Sequence, residues 1–284
     1  MIRPRGVGPR LGASWEGRPA DLLAALAGVV DVLEILPDCL AGPAGIVPAR
    51  LAELDALAPD LPVTYHGIGL SIGTVGGWND DYLHLLDTLW EWRKPLWHSE
   101  HLGFTTVSGS SLGAMPALPC TPEAAALVID RVAAIQESYA APFLLEHVAS
   151  PLARPDVWSL ARFLNTIAER SGTRLLLDLH NLECDADNGL LDLPAFLDEL
   201  EWAHVAEIHV AGGVWAEGYH LDVHARTVAA STLDLLDLAL DRAPALDLVV
   251  FEVLAAAVGT LGIPAILGQL ADLRGRLDAR VRAA

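Results

Sequence analysis

Short apolar runs rich in β-forming residues alternate with amphipathic helical segments along the whole 284-residue chain. This alternation builds βα units, whose strands pair in parallel and whose helices cover the resulting sheet. The runs are GVGPRLG, VVDVLEIL, LPVTYHG, PLWHSEH, APFLLEH, TRLLLDLHN, HVAEIHV and LDLVVFEV. Each precedes a helical pattern, from ADLLAALAGV after the first to GIPAILGQLADLRGRL after the eighth, and Thr121-Pro122-Glu123 is a strong helix start. Eight such pairs predict an α/β chain folded as a (β/α)8 TIM barrel. No linker or low-complexity segment interrupts the pattern, so one domain over residues 1–284 is expected. A doubly wound open sheet is the rival, but no GxGxxG follows the first strand to mark a dinucleotide site.

Composition narrows the function. The hydrophobic share of 52% comes largely from Ala, Leu and Val, and the most apolar stretch, LDLVVFEVLAAAVGTLGIPAIL, is broken by Glu252, two glycines and Pro264. A membrane-spanning helix is not expected there, and MIRPRGVGPRLG lacks the apolar core of a signal peptide, so a cytoplasmic location is expected. The net charge of −19 argues against nucleic acid, whose phosphates require concentrated basic charge. It suits a basic peptide, a metal ion, or simple solubility. Cys39, Cys120 and Cys184 form neither a CxxC motif nor a disulfide framework, and none is assigned an essential role.

The strand ends carry the chemistry. The third run ends at His66, the fourth at His101, the fifth at Glu146, the sixth at Asp178, the seventh at His209 and the eighth at Glu252. In a parallel barrel all C-terminal strand ends open on one face, where active sites form. The loop after the seventh strand reads HLDVH and adds Asp222 and His224. Strand alternation places Thr64 with His66, Leu144 with Glu146, Leu176 with Asp178 and Val250 with Glu252, and turns His98 away from His101. Glu100 should face outward against a helix. Glu34 and Glu207 could point inward, with structural pairing as their expected role. Three or more imidazoles and four carboxylates exceed the needs of one ion. Crowded carboxylates repel unless cations hold them, so two or three metals with carboxylate bridges answer the electrostatic problem. Mixed nitrogen and oxygen donors suit iron, manganese or zinc. GLSIGTVGGWN lacks the Lys and Ser/Thr of a phosphate-binding loop and reads as a flexible rim loop beside the site.

Taken in order, HGIGLS, SEHLGF, LLEHVAS, LLLDLHNLECDA, EIHVAGG, HLDVH and VFE resemble the multinuclear non-haem iron-dependent oxidative enzymes, the family that includes the methanobactin-biosynthesis oxidase. The resemblance runs from GVGPRLG to Glu252. It implies a TIM barrel with two or three irons, both Fe(II) and Fe(III), and dioxygen as co-substrate. It implies that His66 and His101 ligate one iron, that Glu146 bridges to a second, and that Asp178, His209 and Glu252 ligate that second iron. Asn181, Asp222 and His224 match a third set. The implied substrate is a residue, often cysteine, of a ribosomally made precursor peptide, with a separate peptide-recognition protein as a possible partner. The chain departs from the family pattern at Glu146-His147 (usually Glu-Asn), at His180 before Asn181, and at Glu252-Val253-Leu254, where Glu-Arg and a polar residue are typical. His147 and His180 read either as groups that orient carboxylate ligands or as solvent-facing loop residues. A metal-dependent sugar isomerase or epimerase of the xylose-isomerase type is the alternative function. Lys94, the lone lysine, falls on the wrong rim for it. A metal-dependent DNA phosphodiesterase of the endonuclease IV type is a poorer third.

Overall fold

The computed structural model describes residues 8–17, 19–42, 45–107, 109–150 and 154–283. Eight parallel strands close a barrel: β1 (Arg10–Trp15), β2 (Val32–Ile35), β3 (Val63–Gly67), β4 (His98–His101), β5 (Phe143–Glu146), β6 (Arg174–Asp178), β7 (Val205–Val210) and β8 (Leu248–Phe251). Each strand pairs with its sequence neighbour, and β1 closes on β8 from Arg10↔Leu248 to Ala13↔Phe251. Gly6 and Val7, the expected opening of the first strand, lie outside the described residues.

The two faces of each strand go to different places. Leu33, Ile35, Tyr65, Leu145, Leu175, Leu177, Ile208 and Phe251 face outward into the large core shared with the surrounding helices. Inside the barrel a small cluster of Val32, Trp97, Leu144, Leu176, Ala206, Leu248 and Val250 fills the space toward the N-terminal strand ends. Two residues further along the same inward faces the chemistry changes to Glu34, Glu146, Asp178 and Glu252, all buried. An apolar plug therefore floors a polar mouth. The β6–β7 register shifts between Leu175 and Leu176, so that Leu176 pairs with Glu207 and Asp178 with His209.

Local signals set the helix starts. The Thr121 side chain accepts from the Ala124 N–H with Pro122 in the first turn of helix Pro122–Ser138, and Asn79 caps helix Asp80–Trp92 through Tyr82 N–H. Two helices lie where loops were expected. Leu179–Asp187 begins directly at the end of β6, because the Asp178 carboxylate caps it by accepting from the His180 and Asn181 N–H groups at 2.6 and 2.9 Å. Ala255–Leu261 follows β8 before the final helix, Ile263–Ala283. Among the described residues no single helix is long and apolar enough to cross a membrane.

Candidate metal centre

His66 is fully buried in the mouth, with its Nδ1 2.9 Å from Ser99 Oγ and its Nε2 3.0 Å from Glu146 Oε2. His101 donates from Nδ1 to the Gly67 carbonyl at 2.8 Å, which leaves Nε2 aimed at the same Glu146 oxygen, 3.3 Å away. That hydrogen bond fixes the ligand tautomer. The two rings lie 4.5 Å apart. One carboxylate oxygen thus stands before two imidazoles whose opposite nitrogens are already engaged.

His209 joins this group to the next, its ring 5.1 Å from His66. Its Nδ1 meets Glu252 Oε2 at 3.0 Å, and Glu34 sits on the other ring nitrogen at 3.1 Å. Glu252 Oε2 also lies 3.3 Å from His224 Nδ1. His224 Nε2 is 2.5 Å from Asp222 and 3.7 Å from Asp178 Oδ2. The Asn181 amide lies between Glu146 and Asp222. Turned one way it donates to Glu146 Oε1 at 3.4 Å; turned the other way it donates to Asp222 at 2.7 Å, the shorter contact. All nine residues singled out in the sequence (His66, His101, Glu146, Asp178, Asn181, His209, Asp222, His224 and Glu252) fall into this one connected cluster.

Several donor atoms in it are orphaned. His66 Nε2, Glu146 Oε2, Asp178 Oδ2 and His224 Nε2 are buried and face one another or Asp222 without a well-directed hydrogen bond, an arrangement that demands an explanation such as an ion. Three triads bring their ligand atoms within 4.8 Å of one another: His66–Glu146–His209, Glu34–Glu207–His209 and Asp178–His224–Glu252.

The electrostatics agree. Burial pushes the Glu146 carboxyl up to about 7 against the pull of His101, and drives Asp178 well above the usual carboxylate range despite His224. Burial also lowers His66 and His101, which favours the neutral ring with a lone pair on one nitrogen of each. On His209 and His224 burial is outweighed by Glu34 and Glu252, which hold both imidazoles well above their ordinary range. Glu252 is held well below its own range, since the two imidazoles overcome its burial. Protons here supply positive charge that a cation would supply better. His224 also sits at φ 38, a left-handed conformation costly for a non-glycine residue and frequent at functional sites.

The surrounding positions sort cleanly. His98 faces outward onto Phe143 and Tyr82, and burial lowers it to about 3. Glu100 faces outward too, against Tyr82 of helix Asp80–Trp92, and burial with Asp38 raises its carboxyl far above normal. Glu34 and Glu207 point inward and pair, Glu34 with His209 and Glu207 with Trp97 Nε1 at 2.8 Å. His147 and His180 are both buried, which removes the solvent-facing reading. Strands β3 and β7 run one residue past His66 and His209, while Glu252 lies one residue beyond β8. The rim loop is tied down, with Thr105 N–H donating to Ser71 Oγ at 2.7 Å and Gly73 N–H to the Gly103 carbonyl at 2.9 Å. Two supporting groups were missed from sequence, Ser99 and the Gly67 carbonyl. Ser99 could have been found, since it shares the inward parity of His101 and pairs with His66 across β3 and β4.

Residues 11–252 match the family model described as RiPP precursor modification enzyme MbnB/TglH/ChrH. A UPF0276 protein of Anaeromyxobacter sp. is 33% identical over 207 residues, 72% of each chain. A UPF0276 protein of Caulobacter vibrioides is 32% identical over 193 residues, 68% of this chain and 69% of that one. Among solved structures, endonuclease IV from Thermus thermophilus superposes with a TM-score of 0.60 at 17% identity, covering 95% of this chain and 100% of the other. The IOLI protein with a bound zinc atom gives 0.61 at 12% identity over 96% and 99% of the two chains. A fusion protein containing a xylose isomerase-like TIM barrel gives 0.52 at 12% identity, covering 87% of this chain and 39% of the fusion. At these identities the structural likeness establishes the barrel fold alone.

Proposed function

The chain belongs to the MbnB/TglH/ChrH family of RiPP precursor modification enzymes, and from that premise we propose that it is an oxygen-dependent oxidase. It would use two or three irons to modify a residue, cysteine foremost, of a ribosomally made precursor peptide. The observation that carries the metal half of this reading is the set of orphaned, converging donors at the mouth: His66 Nε2, Glu146 Oε2, Asp178 Oδ2 and His224 Nε2. The donor set fits iron, with imidazole and carboxylate in proportions suited to non-haem centres. His66, His101 and Glu146 would hold one ion. Glu146 would share a second with Asp178, His209 and Glu252, and Asn181, Asp222 and His224 would hold a third. Iron bound there supplies the redox capacity for oxidation by dioxygen, which no side chain of the cluster possesses.

The chain's own work is positioning and exclusion. The Gly67 carbonyl and Ser99 keep the Nε2 atoms of His101 and His66 facing inward, and Glu34 backs His209. The apolar plug beneath the mouth keeps that side dry. Above it, the loops after β3 and β4 flank a groove of about 770 Å³ lined by Val75, Phe104, Val107 and Leu118, a place for apolar side chains of an extended peptide. The segment after Glu252 is Val253-Leu254-Ala255, with Val253 buried, so recognition would fall to other loops or to a separate peptide-recognition protein. The test is the mass of a Cys-bearing precursor peptide, encoded beside this chain's gene, after incubation with anaerobically purified protein. The expected mass change requires both bound iron and oxygen. A protein that holds zinc or manganese and isomerises a sugar would overturn the proposal.

A further inference from the structure

Outside that ring, a second group of donors has no part in the account so far. His180 and Cys184 stand four residues apart on one face of helix Leu179–Asp187, and His220 comes from the hairpin Val214–Ala216/Tyr219–Leu221 that packs over it. The ligand atoms of the three lie within 4.8 Å of one another. Cys184 Sγ is 3.5 Å from His180 Nε2. Zinc bonds of about 2.3 Å to sulfur and about 2.0 Å to nitrogen place tetrahedral neighbours roughly 3.5 Å apart, so this pair already has the spacing of a shared ion.

The surroundings are those of a prepared site. Asp187 Oδ2 accepts from His220 Nδ1 at 2.8 Å, a carboxylate–imidazole pair that turns the other ring nitrogen free to coordinate. Trp215 stacks on the same ring at 4.9 Å and 8°. Gly213 leaves the room His180 needs, since a Cβ there would lie 2.3 Å from His180 Nε2. Asp222, Asp178, Asp185 and Glu183 surround the Cys184 thiol with negative potential, which favours a cation. The Leu221 carbonyl, which hydrogen-bonds the His180 ring, is a competing acceptor.

We propose that His180, Cys184 and His220, with Asp187 orienting His220, form a separate site for a borderline divalent ion of the zinc class. The ion would clamp the hairpin onto the helix. Asn188 already pairs with the His220 backbone in both directions at 2.9 Å, so the metal locks a contact the fold has made. The clamp lies next to Asn181 and two residues before Asp222, but shares no ligand with the mouth. It does not rest on iron occupying the mouth.

Cobalt(II) is the probe. The full-length protein, titrated with Co(II) and read by absorption, should show a near-ultraviolet thiolate-to-cobalt band that saturates at one ion per chain. Bound ion should also slow proteolysis within 214–221. Cys184→Ser should abolish the band and lower the cobalt count by one while leaving iron at the mouth unchanged. His220→Ala, at a partly exposed position, should weaken the band's cobalt affinity tenfold or more and covers the case in which the buried Cys184 variant does not fold. Absence of the band, its survival in Cys184→Ser, or undiminished affinity in His220→Ala would overturn the site. Loss of iron from the mouth in Cys184→Ser would also overturn it, by making Cys184 part of the main centre. A mouth that binds no iron in a protein that keeps the band would refute the oxidase and leave the clamp standing.

Discussion

Glu146→Gln should leave less than one iron per chain and reduce peptide conversion below about 1% of the parent, with the fold intact. Glu146 Oε2 stands 3.0 Å from His66 Nε2 and 3.3 Å from His101 Nε2. Asn181 adjoins its other oxygen. The amide keeps the shape but has one acceptor oxygen and no charge, so it cannot bridge two cations. Loss of a partner that only orients a ligand costs roughly 10–100-fold in metal affinity, and loss of a bridging ligand weakens two ions at once. Stability should move the other way. Burial has pushed this carboxyl up to about 7, so near neutral pH the folded protein carries a partly desolvated charge that the amide removes. Iron determination, peptide mass spectrometry and thermal unfolding on the same preparation check all three. An unchanged iron count would remove Glu146 from the ligand set.

Gly212→Ala should be strongly destabilising. A Cβ at Gly212 would lie 2.2 Å from the Thr227 carbonyl oxygen and 2.8 Å from that of Arg226. Both are backbone atoms and no side chain can rotate aside. The Gly212 carbonyl accepts from Ala225 and Arg226 N–H at 2.8 and 2.9 Å, so the two segments are stitched together where the methyl would intrude. Overpacking of this kind costs about 1–3 kcal/mol and can exceed it when backbone must part. For a chain of 284 residues that corresponds to a fall in Tm of roughly 2–5 °C. Since the displaced segment follows His224 directly, the third ligand set should lose its ion first. Gly259→Ala is the control. Nothing lies within 4 Å of its Cβ position on helix Ala255–Leu261, so it should be neutral or stabilise by up to about 1 kcal/mol. Equal Tm values for Gly212→Ala and the parent would show that the loop yields freely.

The barrel was legible because its information is periodic. Eight apolar runs, the last six each ending in a His, Asp or Glu, are visible without any knowledge of contacts, and the parity of His66, Glu146 and Asp178 follows from strand geometry alone. The placement of HLDVH at the mouth was also legible, because a loop after the C-terminal end of a barrel strand lies at that face. What stayed hidden depends on partners far apart in sequence. Asp178 reads as a strand-end ligand, yet one of its oxygens caps helix Leu179–Asp187 and the other alone remains for the site. The role of Glu34 needs His209, which stands 175 residues away. The His180–Cys184 pair is visible as a helical i,i+4 spacing only once that helix is known, and His220 reaches it from another element. His147 and His180 could not be placed by sequence because loop burial depends on what folds over the loop. The close pair Gly212-Gly213 was quoted as part of a motif, but its reason, three carbonyls and an imidazole that a Cβ would strike, exists only in three dimensions.

Anomalous diffraction at the iron edge, from crystals of the protein purified without oxygen, tests the central claim most directly. Two or more iron peaks should lie inside the ring formed by His66, His101, Glu146, Asp178, His209, His224 and Glu252. A ring closed by hydrogen bonds alone, with no iron peak within it, would contradict the account.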